Sequence, residues 1–175
     1  MRRPRSSVRT ACVALLALCG AATVGACPYP DPGKLVTPEQ LVDGARDVTV
    51  ARVEQATATN VSEVRYDFVV LERLAGPVRE RFSITAQSHP ADEVLRSYDH
   101  SDEAFWQPGG GRLNGEGSRC WVTPRFDVGQ TYLVFQDQRP TFRSFERILV
   151  QPRGPISIDK WYTWVVERLR TRPQP

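Results

Sequence analysis

Tyr66, Phe68 and Val70 are separated by single residues, and so are Phe82, Ile84 and Ala86. A period of two marks β-strands that turn one face to a core, and a slip of one residue would send all these side chains to solvent. A chain held to that register must build a sheet. Other strand signals flank it: Asp47 to Ala56 with Val48, Val50 and Val53, Trp121 to Phe126, Gln130 to Gln136, and Ser144 to Val150. A change of phase at Ala51-Arg52 reads as a bulge in the first of these. Gly76-Pro77 and Gly129 supply turns between them. The pattern predicts a mainly β chain whose core takes Tyr66, Phe68, Phe82, Ile84, Leu133 and Phe135.

A helix is predicted on each side of the strands. Thr37-Pro38-Glu39-Gln40 opens the first: Thr37 suits the N-cap, Pro38 the first turn, and Gln40 closes a capping box. Gly44 stops it. Asp159 opens the second, which runs to Arg170 and sets Trp161, Trp164, Val165 and Leu169 on one face. That stripe is expected to be the packing face of the helix. Short antiparallel strands with a flanking helix at each end fit a small β-barrel.

The first residues read as an address. Arg2, Arg3, Arg5 and Arg9 precede an apolar run, Ala11 to Cys19, and a small-residue stretch that ends Val24-Gly25-Ala26. This is the layout of a secretory signal peptide, and the run is shorter than the ~20 residues of a membrane span. Residues 1–26 are therefore expected to be removed, which leaves 27–175 as a single exported domain, periplasmic or secreted. The net charge of +3 is carried by those leading arginines. The remainder is close to neutral, with no electrostatic pull toward nucleic acid or an anionic membrane.

Of four cysteines, Cys12 and Cys19 leave with the signal. In an oxidising compartment the remaining two, Cys27 and Cys120, favour one disulfide. Such a bridge would contribute about 4–5 kcal/mol through chain entropy. A second reading stays open at this point. Val24-Gly25-Ala26-Cys27 is also similar to a lipobox, and an acylated Cys27 would anchor the chain to a membrane and leave Cys120 unpaired.

Residues 88–119 form a long insertion between strands and hold both histidines, His89 and His100. Asp99, Asp102 and Glu103 stand near them and supply the chain's weak metal candidates. Their spacing matches no defined ligand pattern, so a solvated polar loop and no cofactor are expected. Asp102 to Trp106 can form a helical turn. Gly109-Gly110-Gly111 is followed by Arg112, which excludes a phosphate loop and leaves a flexible linker. Neither histidine stands in a nucleophile motif. Phe142-Arg143-Ser144-Phe145-Glu146-Arg147 interleaves aromatic and basic residues, as single-strand nucleic-acid binders do. Export and near-neutrality favour instead a strand with a cross-strand Arg–Glu pair. Asn60-Val61-Ser62 matches a glycosylation sequon, which carries little weight if the source is bacterial, as the lipobox hints.

Several of these segments together are similar to the netrin-like family, an OB-fold group that includes the tissue inhibitors of metalloproteinases. They are Cys27 directly after the signal, Ala45 to Val53, Tyr66 to Leu71 followed by Leu74-Ala75-Gly76, and Cys120 with Phe126-Asp127-Val128-Gly129 and Tyr132-Leu133-Val134-Phe135. The resemblance spans Cys27 to about Val150 and leaves out the insertion. It implies an OB-like barrel and a Cys27–Cys120 bridge. It further implies that the free amine and carbonyl of Cys27 can chelate the zinc of a target protease. The Cys-x-Cys start of the inhibitors is absent, because Pro28-Tyr29 follows Cys27. The expected function is an exported, non-enzymatic binding module for a protein or cell-envelope component. The alternatives are a metalloprotease inhibitor acting through Cys27, a lipid-anchored envelope protein, and a metal-dependent enzyme built on the insertion.

Overall fold

The computed structural model describes residues 35–87, 100–111, 124–137, 140–149 and 159–172. Helix α1 spans Pro38–Gly44, strands β1 and β2 span Val48–Asn60 and Glu63–Ala75, and β3 spans Arg81–Gln87. A single helical turn, α2 (Glu103–Trp106), precedes β4 (Thr131–Phe135) and β5 (Phe145–Arg147), and α3 (Lys160–Thr171) follows. The five strands form one antiparallel sheet in the order β3-β2-β1-β4-β5. Among the described residues the sheet is not closed into a barrel, because no pairing joins β3 to β5.

Both helix starts follow their sequence signals. Gln40 N donates to Thr37 Oγ1 and Thr37 N donates to Gln40 Oε1, completing the capping box. Asp159 caps α3 by accepting from Tyr162 N at 2.8 Å. The helices are tied to each other as well. The Arg168 guanidinium meets the Asp43 carboxylate at 2.5 Å, and Arg172 donates to the Val42 and Ala45 carbonyls at the end of α1.

The predicted core divides in two. Val48 and Val50 of β1 and Leu133 and Phe135 of β4 pack with α1, Phe105, Trp161 and Val165. Ala51 and Val53 pack on the other face with Tyr66, Phe68, Ala86, Phe126, Tyr132, Val134 and Phe145, and Phe82 and Ile84 join at the margin. Leu133 and Phe135 therefore belong to a different layer from Tyr66 and Phe68. This also accounts for the phase change at Ala51-Arg52. The first half of β1 is buried on both faces, even positions toward the helices and odd positions away from them. A register shift does fall between Val50 and Ala51, and the extra residue is Leu71 of β2.

The strand expected over Trp121–Phe126 is not a strand in its described part, 124–126. There Phe126 leaves the surface and inserts its ring among Tyr66, Phe68, Tyr132 and Phe145, at centroid distances of 5.1, 4.9, 4.9 and 5.7 Å. The Tyr132 hydroxyl accepts from Asp127 N at 2.8 Å and fixes the backbone that follows. Burial of the ring in the core wins over strand continuation. β5 is likewise shorter than the Ser144–Val150 pattern, since Thr141 to Ser144 fold into a turn held by Thr141 N and Ser144 Oγ at 2.8 Å.

Candidate functional site

Four charged side chains meet where α2, β5 and the start of α3 converge: His100, Arg143, Glu146 and Asp159. All are buried, with His100 only 3% exposed. The ring Nδ1 of His100 lies 3.1 and 3.2 Å from the two Asp159 carboxylate oxygens, and Nε2 lies 3.6 Å from Glu146 Oε2. Burial pulls the imidazole pKa down, but the two carboxylates outweigh it and push it up to about 9. The ring is therefore an imidazolium at neutral pH, with each nitrogen facing a carboxylate. In Asp159, burial raises the carboxyl pKa, and the stronger combined pull of His100 and the Leu149 and Tyr162 amides leaves it below its ordinary value.

Arg143 acts as a staple. Its Nε and Nη2 donate to the Phe105 carbonyl at 3.2 and 2.7 Å, Nη2 also donates to the Gln107 carbonyl, and Nη1 donates to the Val36 carbonyl at 2.9 Å. One guanidinium fork thus joins the buried Phe105 carbonyl of α2 to the Gln107 carbonyl after it and the Val36 carbonyl before α1. Burial lowers the pKa of Arg143, and the charges of Glu146 and Glu39 offset part of that. Gly111 closes the cluster. It has φ of +109°, and a Cβ there would lie 2.8 Å from Arg143 Cγ and Glu146 Oε1.

Several expectations change here. His100 does not sit on a solvated loop. The described part of the insertion, 100–111, is anchored by the His100 ion pairs, by the Arg143 staple and by the buried Phe105 ring. Asp102 is exposed and serves as the N-cap of α2, accepting from Ala104 N at 3.0 Å. It does not join His100. Gly109-Gly110-Gly111 is closely packed instead of acting as a loose linker: Gly109 lies against Leu35, Gly110 against the α2 backbone and Gly111 against the buried cluster. Arg143 lies in the turn before β5 and the strand partner of Glu146 is Leu133, so these two residues are not a cross-strand pair. His89, Asp99, Cys27 and Cys120 lie outside the described residues. Among the described residues no group of three or more His, Cys, Asp or Glu has the geometry to hold a metal ion. Nor is any described helix long and apolar enough to cross a membrane.

The cluster is not legible in the sequence because its members come from three separate segments. His100 and Asp159 are 59 residues apart. The one local signal was Asp159 itself, identified as a helix cap but not as the partner of a histidine.

Comparison with known proteins gives no match, whether to a family model, a curated protein or a solved structure.

Proposed function

We propose that the chain is an exported, non-enzymatic binding module built on an OB-like barrel, and that its ligand is a protein or a cell-envelope component. The observation that carries this reading is the aromatic layer around Phe126. A sheet of order β3-β2-β1-β4-β5 closes only if β3 meets β5. Ala86 of β3 and Phe145 of β5 already belong to the same buried cluster, with residues of β1, β2 and β4 between them. Side chains from all five strands contribute to this one cluster, which supports the layout of a small, partly open Greek-key barrel. The netrin-like resemblance implies the same layout. Binding is favoured over catalysis because His100 is spent on holding the insertion in place, with neither ring nitrogen free for a substrate.

Isolated envelopes of the source cell test the reading. Labelled chain is expected to bind them saturably, and protease treatment of the envelopes separates a protein ligand from an envelope polymer. Absence of saturable binding to either preparation overturns it. Intact mass of the exported chain decides Cys27. A free N-terminal Cys27 and a mass 2 Da below the reduced form, about the mass of two hydrogens, report the disulfide, and added acyl mass reports the lipid anchor.

A further inference from the structure

The outer edge of β1 changes character at Val53. Up to that residue the edge is covered: β4 pairs with Val48 to Arg52, and Val53 donates to the Gln130 carbonyl at 3.0 Å and accepts from Gly129 N at 2.8 Å. Beyond it β1 continues to Asn60 with β2 on one side and, among the described residues, no strand on the other. Positions 54–60 are all exposed. A free edge is a row of unpaired backbone donors and acceptors, and natural chains commonly block such rows with Lys, Pro or inward-pointing charge. From Gln55 to Ser62 there is no charged residue and no proline. Register shifts at Glu54 and Thr59 bracket a regular run, Gln55 to Ala58, paired with Asp67 to Val64.

An antiparallel edge is complementary to itself about a two-fold axis, since each strand offers the same alternation of donors and acceptors. Two copies of Gln55 to Ala58 aligned in this way bring no like charges opposite one another. The ends match as well. Val61 is fully exposed at the hairpin tip, and Val128 is 56% exposed beside Gly129, whose amide bonds Val53 at the base of the free edge. Antiparallel alignment carries the tip of each copy to the base of the other. Two exposed valines on one chain thus become two apolar contacts across the axis, each pairing one copy's Val61 with the other's Val128.

We infer that the free edge of β1 from Gln55 to Asn60 is the docking strand for a second copy of this chain, joining the two sheets across a two-fold axis. The pairing does not depend on barrel closure or on the identity of the ligand.

Sedimentation equilibrium of the purified chain, in a concentration series reaching about 1 mM, tests it at the weak end of specific association. The expected result is a reversible monomer–dimer equilibrium that disappears in denaturant without reductant. Thr57→Lys places two cations near the axis and should weaken the dimer about tenfold, with an unchanged far-UV spectrum. Val61→Lys should weaken it too. Adding Val128→Asp to the same chain should restore it, because each new cation then faces a new carboxylate. The Val61 and Val128 variants lie at exposed turns and keep the test decisive if Thr57→Lys fails to fold. A chain that stays monomeric throughout, or a dimer unmoved by these changes, overturns the inference.

Discussion

His100 and Asp159 are 59 residues apart in sequence and form one buried ion pair, with the ring Nδ1 3.1 Å from Asp159 Oδ1. The same carboxylate caps α3 through Tyr162 N and receives Leu149 N at 2.8 Å. A single aspartate thus fixes the start of a helix, the end of the β5 segment and the insertion. Loss of its partner cation would leave the Asp159 carboxylate without its buried counter-charge.

That geometry gives stability a definite pH dependence. The folded pKa of His100, about 9, lies above its ordinary 6.5. Its contribution is therefore complete below about pH 6.5 and is lost as pH rises through about 9. The shift corresponds to an effect on the order of 3 kcal/mol. Asp159 has the opposite sign: its folded pKa is lowered, so its contribution is present above 3.8 and is lost as pH falls through that lower value. Thermal melts of the native chain should show a fall between pH 7 and pH 10 that His100→Gln does not share. Parallel curves for the two proteins would refute the pairing.

Arg143→Lys is expected to be far from conservative. The guanidinium serves the Phe105, Gln107 and Val36 carbonyls together, and a single ammonium lacks the fork to reach all of them. Stranding the buried Phe105 carbonyl should cost about 1–3 kcal/mol in urea unfolding, with increased protease cutting near α2 as the local sign. A loss below about 0.5 kcal/mol, the range of ordinary surface changes, would mean that the staple is dispensable.

What the sequence revealed follows from how local each signal is. The capping box at Thr37 and the cap at Asp159 need only a few consecutive residues, and both are present. Alternation at Tyr66 and Phe68 was readable because the polar residues between them mark the other face. Tyr132 to Phe135 offers no such marks. Four apolar residues in a row are all buried, so their division between two layers shows only in the fold. His100 stands among polar neighbours, and nothing local announces burial. Its partners come from β5 and α3, and their approach depends on how those elements pack. The glycine run misled for a related reason. Flexibility and close packing both call for glycine, and the positive φ of Gly111 beside Arg143 and Glu146 makes it the second case.

The tryptophan stripe of α3 yields a graded prediction. Trp161 is fully buried and touches Phe105, Trp106, Phe135 and Trp164, whereas Trp164 is only partly buried. Trp161→Ala should cost about 3–5 kcal/mol by chemical denaturation, and Trp164→Ala clearly less. Equal losses would contradict the layer as described.

Phe126→Ala tests whether the five strands share one interior. The ring touches β2 through Tyr66 and Phe68, β4 through Tyr132 and β5 through Phe145. Its removal should cost about 3–5 kcal/mol, since edge-to-face contacts are lost along with the buried area. The informative readout is where the chain loosens. β3 has no aromatic contact with Phe126, but it packs into the same cluster through Phe82, Ile84 and Ala86, and Phe82 stacks on Phe68 at 4.8 Å. If the cluster is a single closed interior, emptying its centre should raise amide hydrogen exchange in β3 and β5 together. If the sheet works as an open layer, β5 should loosen alone, because Phe145 loses a direct partner while β3 keeps the stacked Phe68. Exchange rising at Phe145–Arg147 but unchanged at Arg81–Gln87 would therefore remove the main support for the barrel.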